Sequence, residues 1–364
     1  MGRHRWKTVF GIVVTIALLA WVLRDVSARE VWHELSQSNP LWLALAVALA
    51  TLSFALRAVR WRILLEPVIS DTRFNSRFGA VCIGFAVNNI LPARLGEFTR
   101  AFALTRMEPV PLSASIASLV VERILDGVVL AIFLFVTISL PGFPLGEGST
   151  AELIRRTANI GAVVFGIGLG VLWLAARRPA ASGRLFDRTV ARWLPDRFAE
   201  KASHAAASFV HGLGALASPG VFLRALFWSF VVWIDLSLSI WAGLEAFDIS
   251  GPGILGSHFL QAVIAFAVAA PSSPGFFGVF EAAARVGLGP WNVSAPRVVS
   301  FATSYHILTF IPVTLIGLWY LQRLGLSWSD VGRPEQRAEE PPAARLETAG
   351  PPPAEEDGAR GGSQ

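Results

Sequence analysis

Three ionisable residues interrupt a long apolar run in the middle of the chain. Glu122, Arg123 and Asp126 lie between "SIASLVV" and "GVVLAIFLF", and a helix would hold the two carboxylates one turn apart on one face. An ionised group in hydrocarbon costs ~3 kcal/mol on insertion scales, and neighbouring carboxylates repel each other. Arginine relieves this repulsion, because its guanidinium binds carboxylates and phosphates through paired hydrogen bonds. The pattern therefore predicts a buried ion cluster in which Arg94 or Arg100 joins Arg123.

Two short polar segments interrupt other apolar runs. They are "NNILPARLGEF" and "AAPSSPGFFGVFEAA", and each contains a proline, a glycine four residues later and a glutamate soon after. Irregular backbone at membrane depth is tolerated where protein buries it or where it lines a water-filled cavity. We expect both segments to be such tips, with Glu97 and Glu281 beside them. The tip residues are Asn88, Asn89, Pro92, Gly96, Pro274, Gly275 and Gly278.

Six apolar runs approach or exceed the roughly 20 residues that a membrane-spanning helix needs. They are approximately residues 8–23, 41–65, 112–140, 153–176, 221–247 and 298–321. Lysine and arginine favour the cytoplasmic ends of such helices. Arg57, Arg60 and Arg62 close the second run and mark its cytoplasmic end, and the arginines before the first run and between 177 and 211 act likewise. Both chain termini are therefore predicted to be cytoplasmic.

On this scheme the two interrupted segments cannot cross the membrane. Residues 78–104 would enter and leave on the cytoplasmic side, and residues 254–288 would enter and leave on the outer side. Paired, interrupted segments of opposite orientation are typical of inverted-topology repeats. We therefore predict an all-α polytopic membrane protein with about six transmembrane helices and two oppositely oriented re-entrant helical hairpins.

The regions outside the apolar runs differ in character. Residues 184–211 alternate arginines with apolar residues at helical spacing, which predicts an amphipathic helix on the anionic inner leaflet. Residues 326–364 are rich in proline, glutamate and glycine, a composition that predicts a disordered cytoplasmic tail. Residues 1–325 would then form the transmembrane domain.

The composition narrows the functional classes. The chain is 53% hydrophobic and 16% charged, with a formal charge of +5 and one cysteine, whereas soluble domains are about 25% charged. Nucleic-acid binding is not expected, because the arginines cluster at the ends of apolar runs. One cysteine excludes an internal disulfide framework, and no metal-ligand spacing, nucleotide-binding loop or cofactor motif is present. Asp235, Tyr305 and His306 also fall within apolar runs, where they would form a proton or polar relay.

Four segments taken in order resemble a known family. "LRAVRWRILL", "NNILPARLGEFTRAF", "VERILD" and "PSSPGFFGVFEAA" resemble the lysylphosphatidylglycerol synthase transmembrane region, or flippase-like, family over roughly residues 8–323. The family's polar blocks map onto Asn88, Asn89, Pro92, Arg94, Gly96 and Glu97, onto Glu122, Arg123 and Asp126, and onto Pro274, Gly275, Gly278 and Glu281. The last helix departs from the family, because Tyr305 is followed by His306 where an arginine is common, which leaves the lipid preference open.

The resemblance implies translocation of a phospholipid or polyprenyl-phosphate-type lipid headgroup across the cell membrane. We expect Arg94, Arg100 and Arg123 to contact the phosphate. The carboxylates would orient these arginines or accept a cationic headgroup or a proton, and they are Glu97, Glu122, Asp126 and Glu281. No segment suits a transferase domain, so an enzyme is not expected. The alternatives are a small-solute secondary transporter and an accessory subunit that binds an envelope-synthesis enzyme, with the ion cluster purely structural.

Overall fold

The computed structural model describes residues 27–91, 95–144, 146, 148–190, 196–269 and 274–325. Regular structure in these ranges is entirely helical, as predicted. The helices are α1 (Ala28–Gln37), α2 (Pro40–Leu65), α3 (Phe74–Ile90), α4 (Gly96–Met107), α5 (Leu112–Ser139), α6 (Ser149–Arg177), α7 (Pro179–Thr189), α8 (Asp196–Gly212), α9 (Gly214–Ala217), α10 (Pro219–Ala246), α11 (Gly253–Ala269), α12 (Val279–Gly287) and α13 (Ala295–Arg323). The predicted span 8–23, tip residues Pro92 and Arg94, and the tail 326–364 lie outside the described ranges.

Four of these helices, α2, α6, α10 and α13, are long and apolar enough to cross a membrane. Each coincides with a predicted run, and α5 coincides with a fifth that contains the three ionisable residues. Large apolar side chains on α6 are exposed, as expected of a surface that hydrocarbon covers. They include Ile160, Val163, Val164, Ile167 and Val171. The protein is thus a helical membrane protein with several apolar helices.

Local sequence signals define where the helices begin. Asn39 precedes α2, and its side-chain oxygen accepts a hydrogen bond from the Leu41 amide at 3.0 Å. Pro40 occupies the first turn, where its missing N–H is not needed. The largest apolar core lies between α2, α3, α4 and α5 and includes Trp61, Ile83, Leu104 and Leu125, all fully buried. A second core joins α10, α12 and α13.

Helices α3 and α4 fold back on each other, and we call them the first helix pair. Gly84 of α3 packs directly against the backbone of Gly96 of α4, and the Asn88 side chain accepts a hydrogen bond from the Gly96 amide at 2.8 Å. At the other end, Arg73 Nε donates to Glu108 Oε1 at 2.9 Å. The start of α3 therefore lies beside the end of α4, as in a hairpin.

The salt bridge between Arg73 and Glu108 lies at the open end of the first helix pair, opposite the bend, and local hydrogen bonds keep its carboxylate charged. Burial of the Glu108 side chain disfavours its charged form, but hydrogen bonds from Ser76 and Arg73 outweigh burial and lower the pKa of Glu108 below its ordinary value. The carboxylate therefore stays ionised and holds the two ends of the first helix pair together at neutral pH.

Helices α11 and α12 form the second helix pair. Gly287, the last residue of α12, packs against the Leu260 side chain, and Gly256 near the start of α11 packs against the Trp291 ring. The bend between the helices includes Gly275 and Gly278, with φ of 65° and 83°. Glycine adopts such angles without the steric penalty that a Cβ brings. This pair is also a hairpin whose ends lie together.

Contacts along α13 show how the two helix pairs are arranged relative to each other. The Tyr320 hydroxyl donates to the Asn75 side chain at the open end of the first pair. Thr314 accepts from Asn89 Nδ2 at 2.9 Å, at the bend of that pair. His306, about 21 Å from Tyr320 at 1.5 Å per residue, contacts Glu281 beside the bend of the second pair at 2.7 Å. The pairs thus approach from opposite ends of α13, and their bends face each other.

The structure describes two helical segments in the region of the predicted amphipathic helix 184–211. They are α7 and α8, and residues 191–195 between them lie outside the described ranges. The C-terminal end of α8 also packs on α5, where Gly212 contacts Ala114 and Ala117. A membrane-surface location for this region stays a prediction.

Candidate functional site

Glu122 of α5 is the centre of a buried ion cluster. Its carboxylate accepts from Arg100 Nη1 at 2.7 Å and from Arg100 Nη2 at 3.1 Å. Arg123 Nη2 lies 3.0 Å away and Arg60 Nη2 lies 3.1 Å away. Glu122 is fully buried, so three guanidinium groups replace the water that would otherwise solvate it. The structure therefore brings together the predicted Arg100, Glu122 and Arg123.

Asp126, one turn further along α5, is the second buried carboxylate. Its Oδ1 accepts from Arg60 Nη1 at 2.5 Å and from Trp233 Nε1 at 2.9 Å. Its Oδ2 lies 3.5 Å from Arg123 Nη1 and 3.7 Å from Arg57 Nη1. The two carboxylates do not share a proton site, because arginines lie beside each of them. We call the six residues the arginine–carboxylate cluster; they are Arg57, Arg60, Arg100, Glu122, Arg123 and Asp126.

Arg57 and Arg60 of α2 belong to the cluster, although the sequence predicts for them only a place at the cytoplasmic end of a helix. Only 4% of Arg57 and 0% of Arg60 is exposed. The side chain of Arg62 is exposed, as expected of a solvated charge at the end of a helix. The spacing of Arg57 and Arg60 could have predicted their shared burial, because residues three apart lie on one helix face. Arg57 and Arg60 therefore point together toward α5.

A cavity of about 400 Å³ adjoins the cluster, and we call it the first cavity. Its polar wall contains Arg57, Asn88, Glu97, Arg100, Arg123 and Asp126, and the rest includes aromatic rings from α3, α6, α10 and α11 and aliphatic side chains. Glu97 is 38% exposed at its side chain and lies 3.7 Å from Arg123. Phe276, from the bend of the second helix pair, also lines this cavity, which therefore lies between the two pairs.

Positive charge exceeds negative charge around the first cavity. Of the described charged residues that line it, three are arginines (Arg57, Arg100 and Arg123) and two are carboxylates (Glu97 and Asp126). Several buried guanidinium nitrogens have no hydrogen-bond partner in the described part of the chain, namely Arg57 Nε and Nη1, Arg60 Nε, Arg100 Nε and Arg123 Nε. Buried donors are normally satisfied, so this site is suited to an anion that brings acceptor oxygens.

The remaining predicted residues lie apart from the cluster. Glu281 Oε2 accepts from the Gly278 amide at 2.6 Å, and Oε1 lies 2.7 Å from His306 Nδ1. This places Glu281 at the start of α12, where a carboxylate stabilises the helix N-terminus. Tyr305 shares a 2.8 Å hydrogen bond with Ser239. Within the described ranges, no direct hydrogen bond joins Asp235 to Tyr305 or His306, and the relay stays a prediction.

The described residues offer little for a metal ion. Among them, no group of three His, Cys, Asp or Glu side chains is arranged to hold one. Cys82 is buried and belongs to the apolar core.

Comparisons with known proteins place these features in a family. A family model described as the lysylphosphatidylglycerol synthase TM region matches residues 8–317. The chain is 27% identical over 339 residues to glycosyltransferase AglD of Haloferax volcanii, covering 86% of this chain and 54% of AglD. A UPF0104 membrane protein of Methanocaldococcus jannaschii is 27% identical over 139 residues, which is 38% of this chain and 40% of that protein. The matches therefore span about half, or less, of these relatives.

The family model covers most of the chain, including the polar blocks that form the cluster and adjoin the two bends. The resemblance seen in the sequence is thereby confirmed. The protein belongs to the lysylphosphatidylglycerol synthase TM region family of membrane proteins.

Proposed function

We propose that this protein moves the phosphate headgroup of a membrane lipid between leaflets. The observation on which this proposal depends is the first cavity, where arginines outnumber carboxylates among the described lining residues and several guanidinium nitrogens have no partner among those residues. A bare phosphate in hydrocarbon would cost on the order of 20 kcal/mol by a Born estimate. Guanidinium groups that are already desolvated and held by carboxylates lower that cost, because they bind phosphate oxygens without reorganising.

The two helix pairs provide the proposed route. We infer that they are oppositely oriented re-entrant hairpins, because each has its ends together and its bend faces the other bend. A Cβ built on Gly275 would lie 3.2 Å from the Asn89 carbonyl oxygen, so the bends are in contact. Broken helices that meet in this way form the substrate sites of inverted-repeat transporters. Acyl chains would remain in lipid while the headgroup passes between the pairs.

The proposed setting is the cytoplasmic membrane, with both termini in the cytoplasm. In this setting the protein acts as a transporter and not as an enzyme. The basic region 184–211 would contact the anionic inner leaflet, where each lysine or arginine contributes about 1 kcal/mol of attraction.

Replacing Arg57 with glutamine tests the proposal while it leaves the hydrogen bonds of the cluster in place. Arg57 makes no hydrogen bond among the described residues, and its guanidinium lies 5.4 Å from the Phe85 ring centre and 5.3 Å from the Trp233 ring centre. We expect lipid movement to slow by about 10- to 100-fold, as for the loss of a hydrogen bond to a charged group. The measurement is loss of leaflet-restricted quenching of fluorescent phospholipid in vesicles that contain the purified protein.

The matched control is Arg224→Gln. Arg224 forms a 2.6 Å salt bridge with Glu66 on the exposed surface and does not line the first cavity. Its replacement by glutamine should therefore leave lipid movement at the wild-type rate. Equal rates for wild type and Arg57→Gln would contradict a phosphate role for the cavity. Uptake of a small solute without any change in lipid sidedness would instead favour a secondary transporter.

A second candidate function rests on the similarity to AglD, which is named a glycosyltransferase. In this candidate the protein is an accessory membrane subunit of glycolipid synthesis, and the arginine–carboxylate cluster is structural. Stable co-purification of a glycosyltransferase, together with wild-type lipid movement in Arg57→Gln, would support it.

A further inference from the structure

A second cavity of about 200 Å³ adjoins the first. Arg57, Phe85 and Trp233 line both cavities. The second cavity extends away from the arginine–carboxylate cluster toward α13, where His306 and Thr309 form its wall. A ligand whose phosphate binds beside Arg57 in the first cavity would therefore extend its attached group into the second.

His306 presents a ring nitrogen to this second cavity. The residue is fully buried, its Nδ1 lies 2.7 Å from Glu281 Oε1, and its Nε2 has no hydrogen-bond partner among the described residues. In the imidazolium form Nε2 donates a hydrogen bond, and in the neutral form with the proton on Nδ1 it accepts one. A hydroxyl group both donates and accepts, so it pairs with Nε2 in either form.

Gln261 of α11 supplies a second polar group to the same cavity. Only 8% of the residue is exposed, and it lines the second cavity opposite α13. An amide both donates and accepts, so it matches a hydroxyl in either role. The rest of the wall is largely apolar and aromatic, with Trp233, Phe280 and Phe310 among its residues. Rings beside a few hydrogen-bonding groups suit the apolar face of a polyol or sugar ring.

We propose that the second cavity is a headgroup subsite for a neutral, hydroxyl-bearing group, such as a sugar or polyol, attached to the lipid phosphate. This inference rests on the proposed function, because Arg57 orients the phosphate that joins the two groups. A cationic headgroup does not fit, since Arg57 brings positive charge to the wall of this cavity and none of its described lining residues is a carboxylate.

Phospholipids that share acyl chains and differ in headgroup test the subsite. The probes are dioleoyl phosphatidic acid, phosphatidylinositol and phosphatidylethanolamine, and native mass spectrometry of the purified full chain measures the relative affinities. We expect wild type to prefer phosphatidylinositol over phosphatidic acid by about tenfold, as for about one net hydrogen bond. In Gln261→Leu and His306→Phe this preference should fall to about twofold or less.

Two controls separate the outcomes. Gln322→Leu makes the same chemical change at an exposed position of α13 and should retain the tenfold preference. Arg100→Gln should weaken the binding of all three phospholipids equally. Unchanged binding in Arg100→Gln would count against the proposed function. An unchanged preference in Gln261→Leu, alongside weaker binding in Arg100→Gln, would overturn the subsite alone. A preference of wild type for phosphatidylethanolamine or phosphatidic acid would also overturn it.

Discussion

Replacing Glu122 with alanine is expected to destabilise the protein by about 3–5 kcal/mol, the range for removing one partner of a buried ion pair. Glu122 is contacted at 3.1 Å or less by Arg60, Arg100 and Arg123. Without its carboxylate, the positive groups of α2, α4 and α5 would repel each other around a fully buried position. Chemical unfolding of the purified protein in detergent would measure the loss.

The surface pair between Glu152 and Arg156 provides the control for this prediction. Their 3.1 Å contact is exposed on both sides, and such pairs are worth about 0.3–0.5 kcal/mol. Glu152→Ala should therefore unfold almost as wild type does. If Glu122→Ala behaved like Glu152→Ala, the cluster could not be the interaction that fixes α2 and α4 on α5.

A double variant separates charge imbalance from lost packing. Arg100→Leu removes one cation that Glu122 neutralises, so adding it to Glu122→Ala should restore part of the lost stability. Neighbours in one ion network deviate from additivity by about 0.5–3 kcal/mol. Strict additivity of the two single changes would show that Arg100 and Glu122 stabilise the fold independently, against the 2.7 Å contact between them.

The sequence was most informative where charge and hydrophobicity conflict. Glu122, Arg123 and Asp126 were singled out because ionised groups in an apolar helix must find partners, and Arg100 is one of those partners in the structure. The paired helices were anticipated because glycine and proline interrupt runs too short to span. These inferences depend on local properties of the chain, which is why they needed no tertiary information.

The sequence was least informative where partners come from distant segments. Arg60 and Asp126 are separated by 66 positions, and Trp233 and Asp126 by 107. Arg57 and Arg60 had a sufficient explanation as end charges, so their burial was not predicted. The pairing of Glu281 with His306 was likewise missed, because an interrupted helix pair does not reveal which residues of the following helix face its bend.

Replacing Gly96 with alanine is the second large expected effect. A Cβ on Gly96 would overlap the Gly84 carbonyl oxygen and would lie 2.6 Å from Asn88 Oδ1. Backbone on the far side cannot move away as a flexible side chain would, so α3 and α4 must separate. Overpacking of this kind costs about 1–3 kcal/mol, and the hydrogen bond from the Gly96 amide to Asn88 would lengthen or break.

The effect on lipid movement should exceed the effect on stability. Arg100 lies one turn beyond Gly96 on the same face of α4 and reaches Glu122 at 2.7 Å. Displacing α4 would therefore move a guanidinium that lines the first cavity and change the shape of that cavity. We expect Gly96→Ala to lose most lipid movement in the vesicle assay while most of the purified protein remains folded by circular dichroism.

Gly166→Ala is the matched control for the change at Gly96. Among the described residues, no neighbour lies within 4 Å of a Cβ built on Gly166, in the middle of α6, and glycine inside a helix is less stable than alanine by about 0.5–1 kcal/mol. Gly166→Ala should therefore unfold at a slightly higher denaturant concentration than wild type and move lipid at the same rate. If Gly96→Ala matched Gly166→Ala in both measurements, close contact between α3 and α4 would not be needed to shape the first cavity, and the arginines would have to be positioned by α2 and α5 alone.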